Sequence, residues 1–138
     1  MYQASIKSMA SLGDFVFEMA SASFDTLKRT SRYRWTTVNR IGKKPANQWN
    51  GSGLERIRLK GIIFPHFSGG LAQINKLREM ANEGKPYRLV YTDSKKAESQ
   101  GLWVIKRINE TRSVFISAGA PLKIEFSVDL EEYGDDSV

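Results

Sequence analysis

The sequence predicts a mainly β fold with a single α-helix, an α+β domain of about seven or eight strands. Three observations predict it. Leu122, Ile124, Phe126, Val128 and Leu130 alternate with Lys123, Glu125, Ser127, Asp129 and Glu131, the period-2 pattern of a strand with one buried face. Leu71, Ile74, Leu77 and Met80 or Ala81 recur at helical spacing, with Gln73, Asn75, Lys76, Arg78 and Glu79 on the other side; no other stretch carries that period so well. The remaining apolar residues fall in short runs rich in aromatic and β-branched side chains, separated by Gly, Pro and polar clusters.

Taken in order, residues 1–11 lack an apolar signal-peptide stretch and are expected to form a flexible or partner-ordered arm. A single domain is expected over residues 12–132, closed by an acidic tail at 133–138. Leu12 to Met19 reads as a first strand, with Phe15, Phe17 and Met19 on one face and Asp14, Val16 and Glu18 on the other. Residues 31–41 make the second, Tyr33, Trp35 and Thr37 alternating with Arg32, Arg34 and Thr36. Gly42, Lys43, Lys44 and Pro45 break it, and residues 46–53 end in the loop-like NGSG. Ile57, Leu59 and Ile63 alternate with Arg58, Lys60 and Ile62, and Gly61 marks a bulge or a close approach of another backbone.

Pro65 ends that strand, Ser68 caps the helix, and Gly84 and Pro86 stop it. Gly69-Gly70 ahead of a helix could cradle a phosphate, but neither phosphate-binding glycine frame surrounds them, so a plain turn is expected. Tyr87 to Tyr91 is a short strand and Asp93 to Ser99 a charged loop tip. Leu102 to Ile108 has apolar residues on both faces, Leu102, Val104 and Ile108 against Trp103 and Ile105, as a central strand does. Asn109 to Arg112 reads as a hairpin connection into Ser113 to Ser117, and residues 118–121 turn into the last strand.

Composition narrows the chemistry. With 41% hydrophobic residues in 138, one real core is affordable. The absence of cysteine removes disulfides, thiolate nucleophiles and thiolate zinc sites, and fits a reducing cytoplasm. No apolar run approaches the roughly 20 residues that cross a bilayer. His66, the one histidine, lies between Pro65 and Phe67 without a metal-ligand partner at i+3 or i+4, and no G-x-S-x-G frames a serine. Glu125, Asp129 and Glu131 share the outward face of a strand, where carboxylates are solvated and lack the burial that acid–base work requires. No catalytic, metal or cofactor site is therefore expected.

Charge is segregated: residues 28–60 carry net +9 and residues 125–138 net −6. Within the basic stretch Arg32, Arg34, Arg40, Lys43, Lys44 and Arg56 interleave with Tyr33, Trp35 and Trp49. Arginine with aromatic rings suits base stacking on a sheet, and equally the hot spots of protein interfaces. No RNP-like or KH-like signature is present, so the protein surface is the preferred reading, ahead of nucleic acid or a merely solvated face.

One family matches the order of the short motifs. Leu12-Gly13-x-Phe15-Val16-Phe17, Tyr33-Arg34-Trp35, Arg40-Ile41-Gly42, Leu59-x-Gly61, Pro65 and Gly69-Gly70 are followed by Leu77-x-x-Met80-Ala81 and Gly84-x-Pro86. Gly101-x-x-Val104-Ile105, Glu110-Thr111, Phe115 and Pro121-x-Lys123-Ile124-Glu125-Phe126 complete the series. Together, over about residues 12–130, they resemble tail protein U, the GpU family of contractile-tailed temperate phages and related phage-tail-like bacteriocins. The arm at 1–11 is longer than the family's usual start and the loop at Asp93 to Ser99 more charged, both at places where partners differ.

The resemblance implies a fold similar to tail-tube proteins, a rolled antiparallel sheet, sandwich or barrel with a flanking helix. It implies a structural component of the inner baseplate near the tube end and hub, with no enzyme activity and no cofactor. Its partners would be further copies of itself around the tail axis, the tail tube, the hub and a LysM-type baseplate protein, without membrane or nucleic acid. It would be made in the bacterial cytoplasm and end in the virion or bacteriocin tail. On this reading Arg32, Arg34, Trp35, Arg40, Lys43, Lys44, Trp49 and Arg56 form one interface, meeting a neighbour's Glu131, Glu132, Asp135 and Asp136. A terminator at the head-proximal tube end is the alternative within the structural class, and a nucleic-acid-binding module the alternative outside it.

Overall fold

In a computed structural model, residues 10–17, 23–63, 70–93, 96–113 and 123–134 are described. They form, in chain order, β1 (Ala10–Leu12), β2 (Phe15–Phe17), β3 (Ser23–Thr30), β4 (Tyr33–Val38), β5 (Ala46–Ser52), β6 (Arg56–Ile63), α1 (Gly70–Asn82), β7 (Tyr87–Asp93), β8 (Lys96–Ser113) and β9 (Lys123–Glu132). Among the described residues seven strands make one antiparallel sheet in the order β2-β1-β7-β8-β9-β6-β3, while β4 and β5 pair with each other alone. The mainly β fold with one flanking helix is thus present. The expected helix, 71–81, is α1, and the expected last strand is β9. His66, Ser68, Gly69 and residues 114–121, to which the sequence reading gave roles, lie outside the described residues.

Alternation decides which face of each strand is buried. Ile57 and Leu59 of β6, and Ile124, Phe126, Val128 and Leu130 of β9, point into one core with Leu12, Phe15, Phe17, Leu89 and Trp103. Ile74, Leu77 and Met80 of α1 close that core, the helical stripe meeting the sheet's inner face. Arg58, Lys60 and Glu125 face out.

Bulges curve the sheet, because an extra residue on one strand bends it and increases its twist. One falls at Asp25, where the β3–β6 register moves from Phe24↔Gly61 to Thr26↔Lys60. The bulge foreseen near Gly61 therefore sits on the strand beside it. A second spans Gln100 and Gly101, between Val90↔Ser99 and Arg88↔Leu102, and Gly101 takes φ +88° there. β8 changes neighbours at that point: residues 96–103 pair with β7 and 103–113 with β9. A third, at Lys106, shifts the β8–β9 register and flips the alternation, so Ile108 joins Ile105 and Trp103 on the core side. The expectation that Ile108 shares a face with Leu102 and Val104 fails for that reason.

Other expectations are corrected by the pairing. The strand expected over Leu12 to Met19 is broken at Gly13 and Asp14, where the chain turns so that β1 and β2 pair as a hairpin, Leu12 opposite Phe15. Gly13 adopts φ +59°, and a Cβ there would lie 2.8 Å from Cδ1 of Tyr87, so both conformation and space call for glycine. Ala10 and Ser11, read as part of the arm, belong to β1 and pair with Tyr91 and Val90. Asn109 to Arg112 make no turn: they continue β8 opposite Ser127 to Ile124, with Asn109 Nδ2 donating to Ser127 Oγ at 3.2 Å. Lys96 to Ser99 of the expected loop tip likewise belong to β8.

The roll is closed by side chains. Arg29 of β3 donates from Nη1 to Gln100 Oε1 at 3.0 Å and to the Tyr91 hydroxyl at 3.4 Å, reaching β8 and β7 from the sheet's far edge. Its guanidinium lies 5.8 Å from the ring centroid of Trp103.

Candidate protein interface

The residues singled out as an interface converge on one feature, the β4–β5 hairpin. Arg32 and Gly53 close its base, the Gly53 amide donating to the Arg32 carbonyl at 2.8 Å. The hairpin is a sheet of its own and has no extensive packing against any other described element. Every residue of β4 is exposed, as is β5 apart from Ala46 and Gly51. Residues 46–52, whose end reads in sequence as the loop-like NGSG, are its second strand, invisible to an apolar pattern because no described element of the body covers them.

The pleat sorts the hairpin into two faces. Tyr33, Trp35 and Trp49 share one: Trp35 meets Trp49 edge-on at 5.0 Å between centroids, and Tyr33 stacks on Trp49 at 6.2 Å. Tyr33 and Trp35 remain 61% and 57% exposed, an aromatic cluster ordered without being covered. Arg34 belongs to the other face and donates from Nη2 to the Asn50 carbonyl at 2.7 Å, across a bulge where Gly51 takes φ +99°. Thr36 accepts from Asn50 on that face, and Thr37 and Asn47 bond at 3.1 Å on the aromatic one. At the tip Arg40 donates from Nε and Nη2 to the Lys44 carbonyl at 3.0 and 2.8 Å, while Lys43, Lys44 and Ile41 stand in solvent.

The acidic partners of the expectation are placed differently. Glu131 Oε2 accepts from Arg56 Nε at 2.9 Å and Glu131 Oε1 is 3.8 Å from Lys106 Nζ, so Arg56 and Glu131 satisfy each other within the chain. Arg58 donates to both oxygens of Asp129, at 2.7 and 3.1 Å, and that carboxylate raises the Arg58 pKa. Glu132 sits beside the hairpin base, its carboxylate 3.4 Å from the Glu55 amide. Asp135 and Asp136 lie outside the described residues.

Three residues not singled out in the sequence organise the base. Glu55 accepts from Arg29 Nε and Nη2 at 2.7 and 2.8 Å and from the Ser31 hydroxyl at 2.8 Å. Those hydrogen bonds hold its carboxyl at about 2, against an ordinary 4.5, and raise the Arg29 pKa in turn. In β3 Leu27 and Arg29 stand opposite the buried Leu59 and Ile57, a phase that a charged side chain at the inward position 29 conceals in the sequence. Among the described residues no three His, Cys, Asp or Glu side chains come together to hold a metal. The arrangement presents surface, ring faces and fixed charge, which is the equipment of recognition.

Known proteins place this geometry. The fold is similar to a chain in the tail of an empty gene transfer agent particle with C6 symmetry, at TM-score 0.55 and 10% identity over 97% of this chain and 96% of that one. A chain of the native gene transfer agent virion matches equally, at TM-score 0.56, 10% identity and the same coverage. In sequence, 125 residues, 90% of this chain, are 31% identical to a probable tape measure protein of the Halomonas phage phiHAP-1. The chain spans only 14% of that relative's length. The sequence profile of the Phage P2 GpU family matches residues 13–135, nearly the whole sequence, and the chain belongs to that family of phage tail proteins.

Proposed function

We propose that this phage-tail structural protein acts in tail assembly as a subunit repeated around the tail axis, in the inner baseplate beside the tube end and hub. Its mechanism is contact formation with other tail proteins, and it turns over no substrate. The observation that carries the reading is the β4–β5 hairpin, an arm that leaves its own body bare of it and holds Tyr33, Trp35 and Trp49 in the open. A two-stranded hairpin alone is at best marginal in water, so a neighbour's surface is its natural cover. The axial placement draws support from the C6 symmetry of the gene transfer agent tail. It draws more from the Halomonas phage chain, where a stretch similar to this sequence is part of a probable tape measure protein, since domains joined in one chain are held near one another.

Reversal of Arg32, Arg34 and Arg40 to Glu tests the reading in producing cells. Tails lacking the variant while the soluble chain keeps its fold are the expected result; tails that carry it and assemble normally overturn it. Electron microscopy of labelled tails distinguishes the baseplate from the head-proximal terminator position.

A further inference from the structure

The outer face of the sheet and the base of the hairpin form one basic trough. A hollow of about 430 Å³ is walled by Lys28 of β3, Arg56 and Arg58 of β6, and Lys106 and Arg107 of β8, with Asp129 and Glu131 in its floor. A second, of about 460 Å³, adds Arg32 and Arg34 and shares Arg56 and Glu131 with the first. Among the described residues seven cations thus line a continuous surface that has two carboxylates. Only three of those cations are bridged to them, Arg56 and Lys106 to Glu131 and Arg58 to Asp129.

We infer that this trough receives an extended acidic segment of a partner protein, lying across the strands with its carboxylates on Lys28 and Arg107. The register sets the spacing: Lys28 stands opposite Arg58, Arg58 opposite Asp129, and Asp129 opposite Arg107. Neighbouring strands are about 4.8 Å apart, so Lys28 and Arg107 are separated by roughly 14 Å, the distance an extended chain covers in about four residues. Residues four apart on such a chain point the same way, so one acidic face reaches both cations. Asp129 between them fixes Arg58 and sets the register by repelling a carboxylate placed at the middle of the row.

Protein rather than nucleic acid is favoured by where the rings stand. Single-stranded nucleic acid binds where cations for phosphates and aromatic faces for bases share one surface. Among the described residues no ring lines the trough, and Tyr33, Trp35 and Trp49 occupy the hairpin face opposite Arg34. The site is also wider than the basic arm: Lys28, Lys106 and Arg107 come from other strands, and the tip cations Lys43 and Lys44 take no part.

Fluorescence anisotropy on the full chain tests the site with a labelled peptide of about twelve residues bearing glutamate at every fourth position, so that none falls at the middle of the row. Lys28→Gln with Arg107→Gln spares every ion pair described in the trough, and Lys43→Gln with Lys44→Gln removes the same charge from the tip. The trough variant is expected to bind roughly tenfold more weakly and the tip variant within about twofold of the parent. Equal losses in both variants would reduce the effect to net charge and overturn the proposal, as would tighter binding of a single-stranded oligothymidine of similar length. The inference is consistent with the assembly reading but is measured on the isolated chain with residues off the arm, so either can fail while the other stands.

Discussion

Arg29 occupies an inward position of β3 where the alternation from Leu27 calls for an apolar side chain, and its guanidinium is satisfied by Glu55, Gln100 and Tyr91 while lying over Trp103. Both members of the Arg29–Glu55 pair are partly exposed, 34% and 26% at the side chains, so solvent screens much of their attraction. The bidentate geometry and the Ser31 hydrogen bond still leave a net contribution of about 1–2 kcal/mol. Glu55 is the group whose titration reports it. Its folded-state value is depressed, so the stabilisation is complete above the unfolded value near 4.5 and fades as pH falls toward about 2. Glu55→Gln is therefore expected to unfold in urea about 1–2 kcal/mol more easily than the parent at pH 7, with the gap narrowing between pH 4.5 and 2. A gap that stays constant across that window would assign the effect to packing.

At the scale of elements, the hairpin and the body are separable in physical terms. The body's core is built from β1, β2, β6–β9 and α1, and none of its buried side chains comes from β4 or β5. Because the Gly53 amide already bonds the Arg32 carbonyl, an Asn-Gly dipeptide replacing residues 33–52 makes a four-residue β-turn with the ends in place. The shortened chain is expected to unfold cooperatively within a few degrees of the parent and to be absent from tails; loss of cooperative unfolding would show that the hairpin is part of the fold. This division also explains what the sequence made legible. Strands with one buried face, β6 and β9, and the helical stripe of α1 announce themselves because burial imposes the period. β3 is hidden by the bulge at Asp25 and by Arg29 at an inward position, and β5 by having no buried face at all. The basic and aromatic composition of the arm was readable, whereas Lys28, Lys106 and Arg107 are brought to Arg56 only by strand order, which no local pattern encodes.

For the whole molecule, the roll matters because, among the described residues, side chains close it and no backbone pairing does. Among the described strands β3 pairs with β6 on one side and ends the sheet on the other, and β2 ends it at the opposite edge. β9 by contrast is held by β8 and β6 along nearly its full length. Edge strands are templates for pairing, and a subunit repeated around an axis uses them by covering one copy's edge with the next. Amide exchange by mass spectrometry makes the contrast measurable. In the isolated chain, peptides from β9 are expected to exchange only through global opening, while those from β3 and the β4–β5 hairpin exchange far sooner. On incorporation into tails the β9 pattern should hardly change, and protection should rise in β3 and in the hairpin together. Protection that rises in the hairpin but not in β3 would confine the subunit contact to the arm, and a β3 already protected in the free chain would mean that its edge is covered before any neighbour arrives.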